Sequence, residues 1–268
     1  MGLPEPGTDR TAVVTGASSG IGAAIAKELA ARGHQVVLVA RSADKLKGLA
    51  EDIAAQGIRA DVLPADLSDS AQRAALLGRI EELGLVPDIL VNNAGLSTLG
   101  PVYASDPQAE TNMIEVDVVA VADLCSRFLP GMVDRGRGAV LNVASTAAFQ
   151  PLPGQAAYAA SKAFVLSYTQ SLAGELHRTG VTATALCPGP VETGFADVAG
   201  FENFESALPR VMYESVESVA KTAVDGMARG RLVAIPGLVN RAAAAISQVT
   251  PRSFLLPILR RSHPGLKD

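Results

Sequence analysis

Along this chain, short apolar runs alternate with longer stretches in which apolar residues recur every three or four positions. The runs fall at residues 11–15, 35–40, 60–63, 89–92, 139–143, 181–186 and 232–235. Most are nearly continuous, the pattern of strands covered on both faces, as in a parallel sheet. Helical spacing occupies residues 20–32, 43–56, 70–83, 108–133, 156–179 and 218–229 between them. This alternation predicts repeated βαβ units, and hence an α/β fold with a doubly wound parallel sheet of seven strands flanked by helices. No internal repeat or long linker interrupts it, so one domain over residues 1–268 is expected.

In such a sheet a ligand sits beyond the carboxyl ends of the strands, where the strand order reverses. The first strand ends in Thr15-Gly16-Ala17-Ser18-Ser19-Gly20-Ile21-Gly22, which opens an alanine-rich helix. Glycines there allow a tight turn and close approach of backbone to a pyrophosphate, and the helix N-terminus offers free N–H groups. Gly16, Ser18, Ser19, Gly20, Ile21 and Gly22 are therefore candidate cofactor residues, with a purely structural turn as the competing reading. The second strand ends in Val39-Ala40-Arg41-Ser42. An acidic residue there would bind a ribose 2′-hydroxyl; its absence, with Arg41 able to fork onto a 2′-phosphate, favours NADP(H) over NAD(H), which stays open. A solvated arginine is the alternative. After the third strand, Asp66 and Leu67 stand where a carboxylate would meet an adenine amino group, or else Asp66 caps the next helix. Asn92-Asn93-Ala94-Gly95 ends the fourth strand, with Asn93, Ala94 and Gly95 as candidate cofactor contacts or loop ties.

Tyr158 and Lys162 are four residues apart in a helical stretch and so share a face. A phenol is a poor base at neutral pH, and a fixed ammonium beside it favours the phenolate. Ser145, thirteen residues before Tyr158, completes a candidate acid/base group.

These motifs, together with Pro188-Gly189 and Thr193, resemble in order and spacing the short-chain dehydrogenase/reductase family, in its compact single-domain branch with a Rossmann-type sheet. The likeness covers roughly residues 10–236. It implies that Tyr158 is the general acid or base, that Ser145 hydrogen-bonds the substrate oxygen, and that Lys162 binds the nicotinamide ribose and lowers the tyrosine pKa. It also implies that Pro188, Gly189, Val191 and Thr193 hold the carboxamide end of the cofactor, and that the protein is a homodimer or homotetramer. One position departs from the pattern: Asp117 stands where many members carry an asparagine that anchors a proton-relay water. Asp117 is expected to occupy that relay position, although its charge opposes a tyrosinate and a silent helix aspartate competes. The expected reaction is hydride transfer between nicotinamide and a ketone or secondary alcohol. A non-catalytic dinucleotide sensor, and an epimerase or dehydratase, are the alternatives.

Composition narrows the partners. Hydrophobic residues make up 48% and charged residues 19%, enough for a large core. A formal charge of −4 gives no basic surplus for nucleic acid. The N-terminal residues lack a cationic start with an apolar run, two cysteines are too few for a disulfide framework, and His34, His177 and His263 lack metal-ligand spacing. A cytoplasmic protein without metal is expected. Residues 194–216, with Phe195 among several apolar side chains, are expected to form a lid over an apolar substrate. Phe149 and Gln155 are expected in the same cleft. Residues 236–268 form an extension too short and too proline-broken to span a membrane. Packing against the protein itself or another subunit is favoured there over binding to a lipid surface.

Overall fold

The computed structural model describes residues 2–191 and 209–262. Seven parallel strands lie in the order β3-β2-β1-β4-β5-β6-β7. They are β1 (Arg10–Thr15), β2 (Gln35–Ala40), β3 (Ala60–Pro64), β4 (Val86–Asn92), β5 (Gly138–Val143), β6 (Val181–Leu186) and β7 (Val233–Ala234). All six residues of β5 are buried, as its largely apolar run requires, with polar Asn142 hydrogen-bonded to Asn92 and Thr169. The order reverses between β1 and β4, so the cleft at their carboxyl ends is the fold's natural ligand position.

Helices cover both faces: α1 (Gly20–Ala31), α2 (Ala43–Ala54), α3 (Ser70–Glu82), α4 (Pro107–Ile114), α5 (Ala120–Asp134), α6 (Ala156–Glu175) and α7 (Val216–Ala228). One core layer joins Ile25, Leu29, Leu38 and Ile89 to Val219 and Met227; the other joins Val13, Leu90 and Val140 to Phe128, Val165 and Leu172. Fully burying each such side chain contributes about 1.5–3 kcal/mol.

The structure departs from the sequence expectations in two places and adds to them in a third. The single helix expected over 108–133 is divided by a π-helical turn, Glu115–Val119, between α4 and α5. Such a turn adds a residue to the spiral and re-aims the side chains near it. The cap of α3 falls to Asp69, which accepts from Ala71 N and Gln72 N, and not to Asp66. Beyond Pro236 the extension forms two helices, α8 (Leu238–Val249) and α9 (Arg252–Ser262). Alanines 242–245 favour helix, while Gly237 at φ 76° and Pro251 mark the breaks. No helix among the described residues is long and apolar enough to cross a membrane.

Candidate active site

The turn between β1 and α1 leaves room for close approach to its backbone. Gly16 and Gly20 have φ of 65° and 55°, values that strain any residue with a Cβ. A Cβ on Gly16 would lie 2.8 Å from Ala94 Cα, and one on Gly22 would strike the Gly16 carbonyl and the Asn93 amide. Asn93 braces the turn, its Nδ2 donating to Thr15 O at 3.0 Å and Gly16 O at 3.2 Å. Thr15, which sequence reasoning left without a role, locks β1 to β4: its Oγ1 accepts from Asn93 N at 2.9 Å and Ala94 N at 3.1 Å and donates to Val91 O at 3.1 Å. Ser19 takes the cap position of α1 without a side-chain bond, and the first turn holds no acidic residue. Free N–H groups and the positive end of the helix dipole are left for an anion. This cradle fits a dinucleotide pyrophosphate held by Gly16, Ser18, Ser19, Gly20, Ile21 and Gly22.

Arg41 is exposed just beyond β2. Asp66 follows β3, and its Oδ1 accepts from Ser68 N at 2.9 Å and Ser68 Oγ at 2.8 Å. These bonds, with Arg41 nearby, hold its carboxyl below the usual range. Leu67 is buried in the core and its carbonyl accepts from Arg73 Nη1 at 2.6 Å.

The acid/base group forms where β5 ends beside α6. Ser145 Oγ accepts from Ala147 N at 3.1 Å, opening a 3-10 turn, and its hydroxyl is near enough to the Tyr158 phenol to favour the phenolate. Lys162 Nζ lies 5.5 Å from the Tyr158 ring centre and donates to Val143 O at 3.3 Å. It also pairs with Asp117 Oδ2 at 2.9 Å. Asp117 is wholly buried, and its Oδ1 accepts from Leu96 N at 2.7 Å. Gly95 makes room, since a Cβ there would crowd Lys162 Nζ at 3.2 Å and Asp117 Oδ1 at 3.4 Å. Burial pushes the Tyr158 phenol up; Lys162 and Ser145 pull it down, and Asp117 pushes it up further. Burial works against the Lys162 ammonium, but Asp117 and Tyr158 outweigh it and raise its pKa.

The remaining expected residues are placed unevenly. Pro188 O accepts from Thr146 N at 2.9 Å, tying the end of β6 to the turn after Ser145. Val191 forms a parallel bridge to Glu214. Gly189 packs against Asn240 of α8, where a Cβ would lie 2.5 Å from Asn240 Oδ1. Phe149 is 7% exposed and belongs to the core cluster. Gln155 is 6% exposed and donates to Ser97 Oγ at 2.9 Å, fastening the loop after β4. Thr193, Phe195 and the lid residues 194–208 lie outside the described residues. Among the described residues, no group of three or more His, Cys, Asp or Glu side chains is placed to hold a metal.

Asn240 went unnoticed in the sequence, where its only signal is a lone amide at the start of an alanine-rich helix. It is 1% exposed, and its Nδ2 donates to Met212 O at 3.0 Å and Pro236 O at 3.2 Å.

Comparison with known proteins gives the same picture. A family model described as short chain dehydrogenase matches residues 10–201. The chain is 43% identical over 216 residues to a short chain dehydrogenase of Pseudocercospora fijiensis, covering 80% of this chain and 69% of that protein. It is 37% identical over 201 residues to a very-long-chain 3-oxoacyl-CoA reductase of Anas platyrhynchos, covering 72% of this chain and 64%, under two thirds, of that protein. Among solved structures, a short-chain dehydrogenase from Sphingobium yanoikuyae in complex with NADPH superimposes with a TM-score of 0.79 at 34% identity. The superposition covers 92% of this chain and 95% of that one.

Proposed function

The chain belongs to the short-chain dehydrogenase/reductase family, and from that premise we propose that it is an NADP(H)-dependent enzyme interconverting an apolar ketone and its secondary alcohol. The observation that carries this reading is the gathering of Ser145, Tyr158 and Lys162 where β5 ends beside α6, with the Lys162 ammonium 5.5 Å from the Tyr158 ring. When bound, the nicotinamide supplies the hydride for reduction or takes it in oxidation. Tyr158 O–H donates its proton to the carbonyl oxygen as the alcohol forms, and accepts it back in the reverse direction. Ser145 hydrogen-bonds the same oxygen, and Lys162 stabilises the tyrosinate left after proton transfer. Asp117 keeps Lys162 charged and fixes its position.

Exposed Arg41, with no carboxylate at the end of β2, supports NADP(H), as does the NADPH complex of the Sphingobium relative. The apolar residues of 194–216 and the long-chain acyl substrate named for the duck relative support an apolar carbonyl compound. Cys125 and Cys187 are buried and unpaired, which suits a cytoplasmic location. Exposed Ile114, Val119 and Phe164 on the helices beside the site suit a homo-oligomer.

The test is titration with NADPH and NADH, followed by apolar ketones with the reduced-cofactor absorbance as readout and Tyr158→Phe as control. Consumption of NADPH that drops by at least about 10²-fold in the control, with binding retained, is the expected result. Tight NADPH binding without turnover over a broad panel would leave the dinucleotide sensor instead.

A further inference from the structure

We propose that α8 and α9 form a docking surface for an anionic lipid bilayer, which sets the edge of the substrate cleft against the membrane. Leu238, Ile246 and Val249 of α8 are 79%, 62% and 82% exposed, and Phe254, Leu256 and Ile258 of α9 are 70%, 40% and 63% exposed. The charge of this segment is opposite to that of the rest of the chain. Of 23 basic and 27 acidic residues, four arginines (241, 252, 260 and 261) and no acid fall between residues 238 and 262. The remainder is therefore strongly acidic, and an anionic surface attracts this segment while repelling the body, which fixes the orientation.

The helix geometry favours lipid over a protein partner. Phe254 and Ile258 share one face of α9, while Leu256 points away from both by the helical repeat. Phe254 and Ile258 therefore give α9 one apolar face, the form in which a helix lies at a lipid interface. The commonest dimer, which pairs the same patch across a two-fold axis, would set arginines against arginines. An isolated helix of this length is marginal in water, so α9 gains from a surface to lie on.

The attachment is close to the site. Arg252 Nη2 donates to Phe149 O at 3.1 Å and Ser247 Oγ to Gln150 Oε1 at 2.8 Å, both in the segment between Ser145 and Tyr158. An apolar substrate dissolved in the bilayer would thus reach the cleft from the side that touches lipid. This consequence rests on the proposed reaction; the docking itself does not.

Flotation of the full-length protein with vesicles reads the docking without any turnover. Phosphatidylcholine vesicles containing one third phosphatidylglycerol should carry the protein upward, and pure phosphatidylcholine should carry little. Molar salt should release it. Arg260→Glu with Arg261→Glu should lower vesicle binding by roughly ten-fold or more, and Phe254→Glu with Ile258→Glu should do likewise, while NADPH binding and Tm stay unchanged. No flotation of the native protein on anionic vesicles, or flotation unaltered by either pair of substitutions, overturns the proposal. Absent flotation with a loss of sedimenting mass in the Phe254→Glu, Ile258→Glu variant would show that a second copy covers the surface, and overturns it equally.

Discussion

Lys162 Nζ and Asp117 Oδ2 stand 2.9 Å apart, out of solvent, beside the Tyr158 ring. The cation that favours the tyrosinate is therefore partly neutralised by a carboxylate that opposes it. Replacing Asp117 with Asn removes the opposing charge and should lower the Tyr158 pKa. The sign is the same in both directions of reaction. Oxidation, which needs the tyrosinate, should begin at lower pH, and reduction, which needs the phenol, should fail at lower pH. Profiles of kcat against pH for both directions check this; unmoved limbs would remove Asp117 from the proton chemistry.

Arg41 offers the only basic side chain directly after β2, and it is exposed. Arg41→Asp should weaken NADPH binding by about ten- to a hundred-fold, the scale of one lost charge-assisted contact plus a new repulsion. NADH binding should hold or improve. Fluorescence titration of both cofactors measures the ratio, and an unchanged ratio would show that Arg41 does not touch the 2′-phosphate.

Asn240 joins α8 to the segment before α7 and to the chain after β7 through Met212 O and Pro236 O. Asn240→Ala leaves these carbonyls without their donor and opens space beside Gly189, at a cost of about 1–3 kcal/mol. The expected result is a lower Tm together with a raised KM for the cofactor. A fall in Tm with kinetics untouched would limit Asn240 to stability.

Asp88 lies at the end of β4 away from the cleft, 3% exposed, and meets Arg10 at 3.4 Å, Arg135 at 3.4 Å and Arg137 at 2.6 Å. Asp88→Ala should cost roughly 2–4 kcal/mol, less than a fully buried pair would because the arginines reach solvent. Denaturant unfolding should show it as a lower midpoint, with kcat of the folded enzyme unaltered.

What the sequence determined by itself was everything carried by local period. The apolar runs mark the strands because a strand covered on both faces has no polar positions to alternate. Gly16, Gly20 and Gly22 mark the cradle because a left-handed or crowded backbone excludes a Cβ, and Tyr158 and Lys162 share a face because four residues make about one turn. Contacts between distant segments were decided only in three dimensions. Lys162 and Asp117 meet because β4 and β5 are neighbours and the π turn at Glu115–Val119 aims the carboxylate inward. Thr15 and Asn93 lock together because the reversal in strand order sets β1 beside β4. Phe149 joined the core cluster, and Asp69 rather than Asp66 took the cap of α3, where its carboxylate meets the free amides of Ala71 and Gln72. The helices of the extension were hidden by prolines and glycine that break the period without preventing helix on either side, and their exposed apolar side chains acquired meaning only once the fold showed what they leave uncovered.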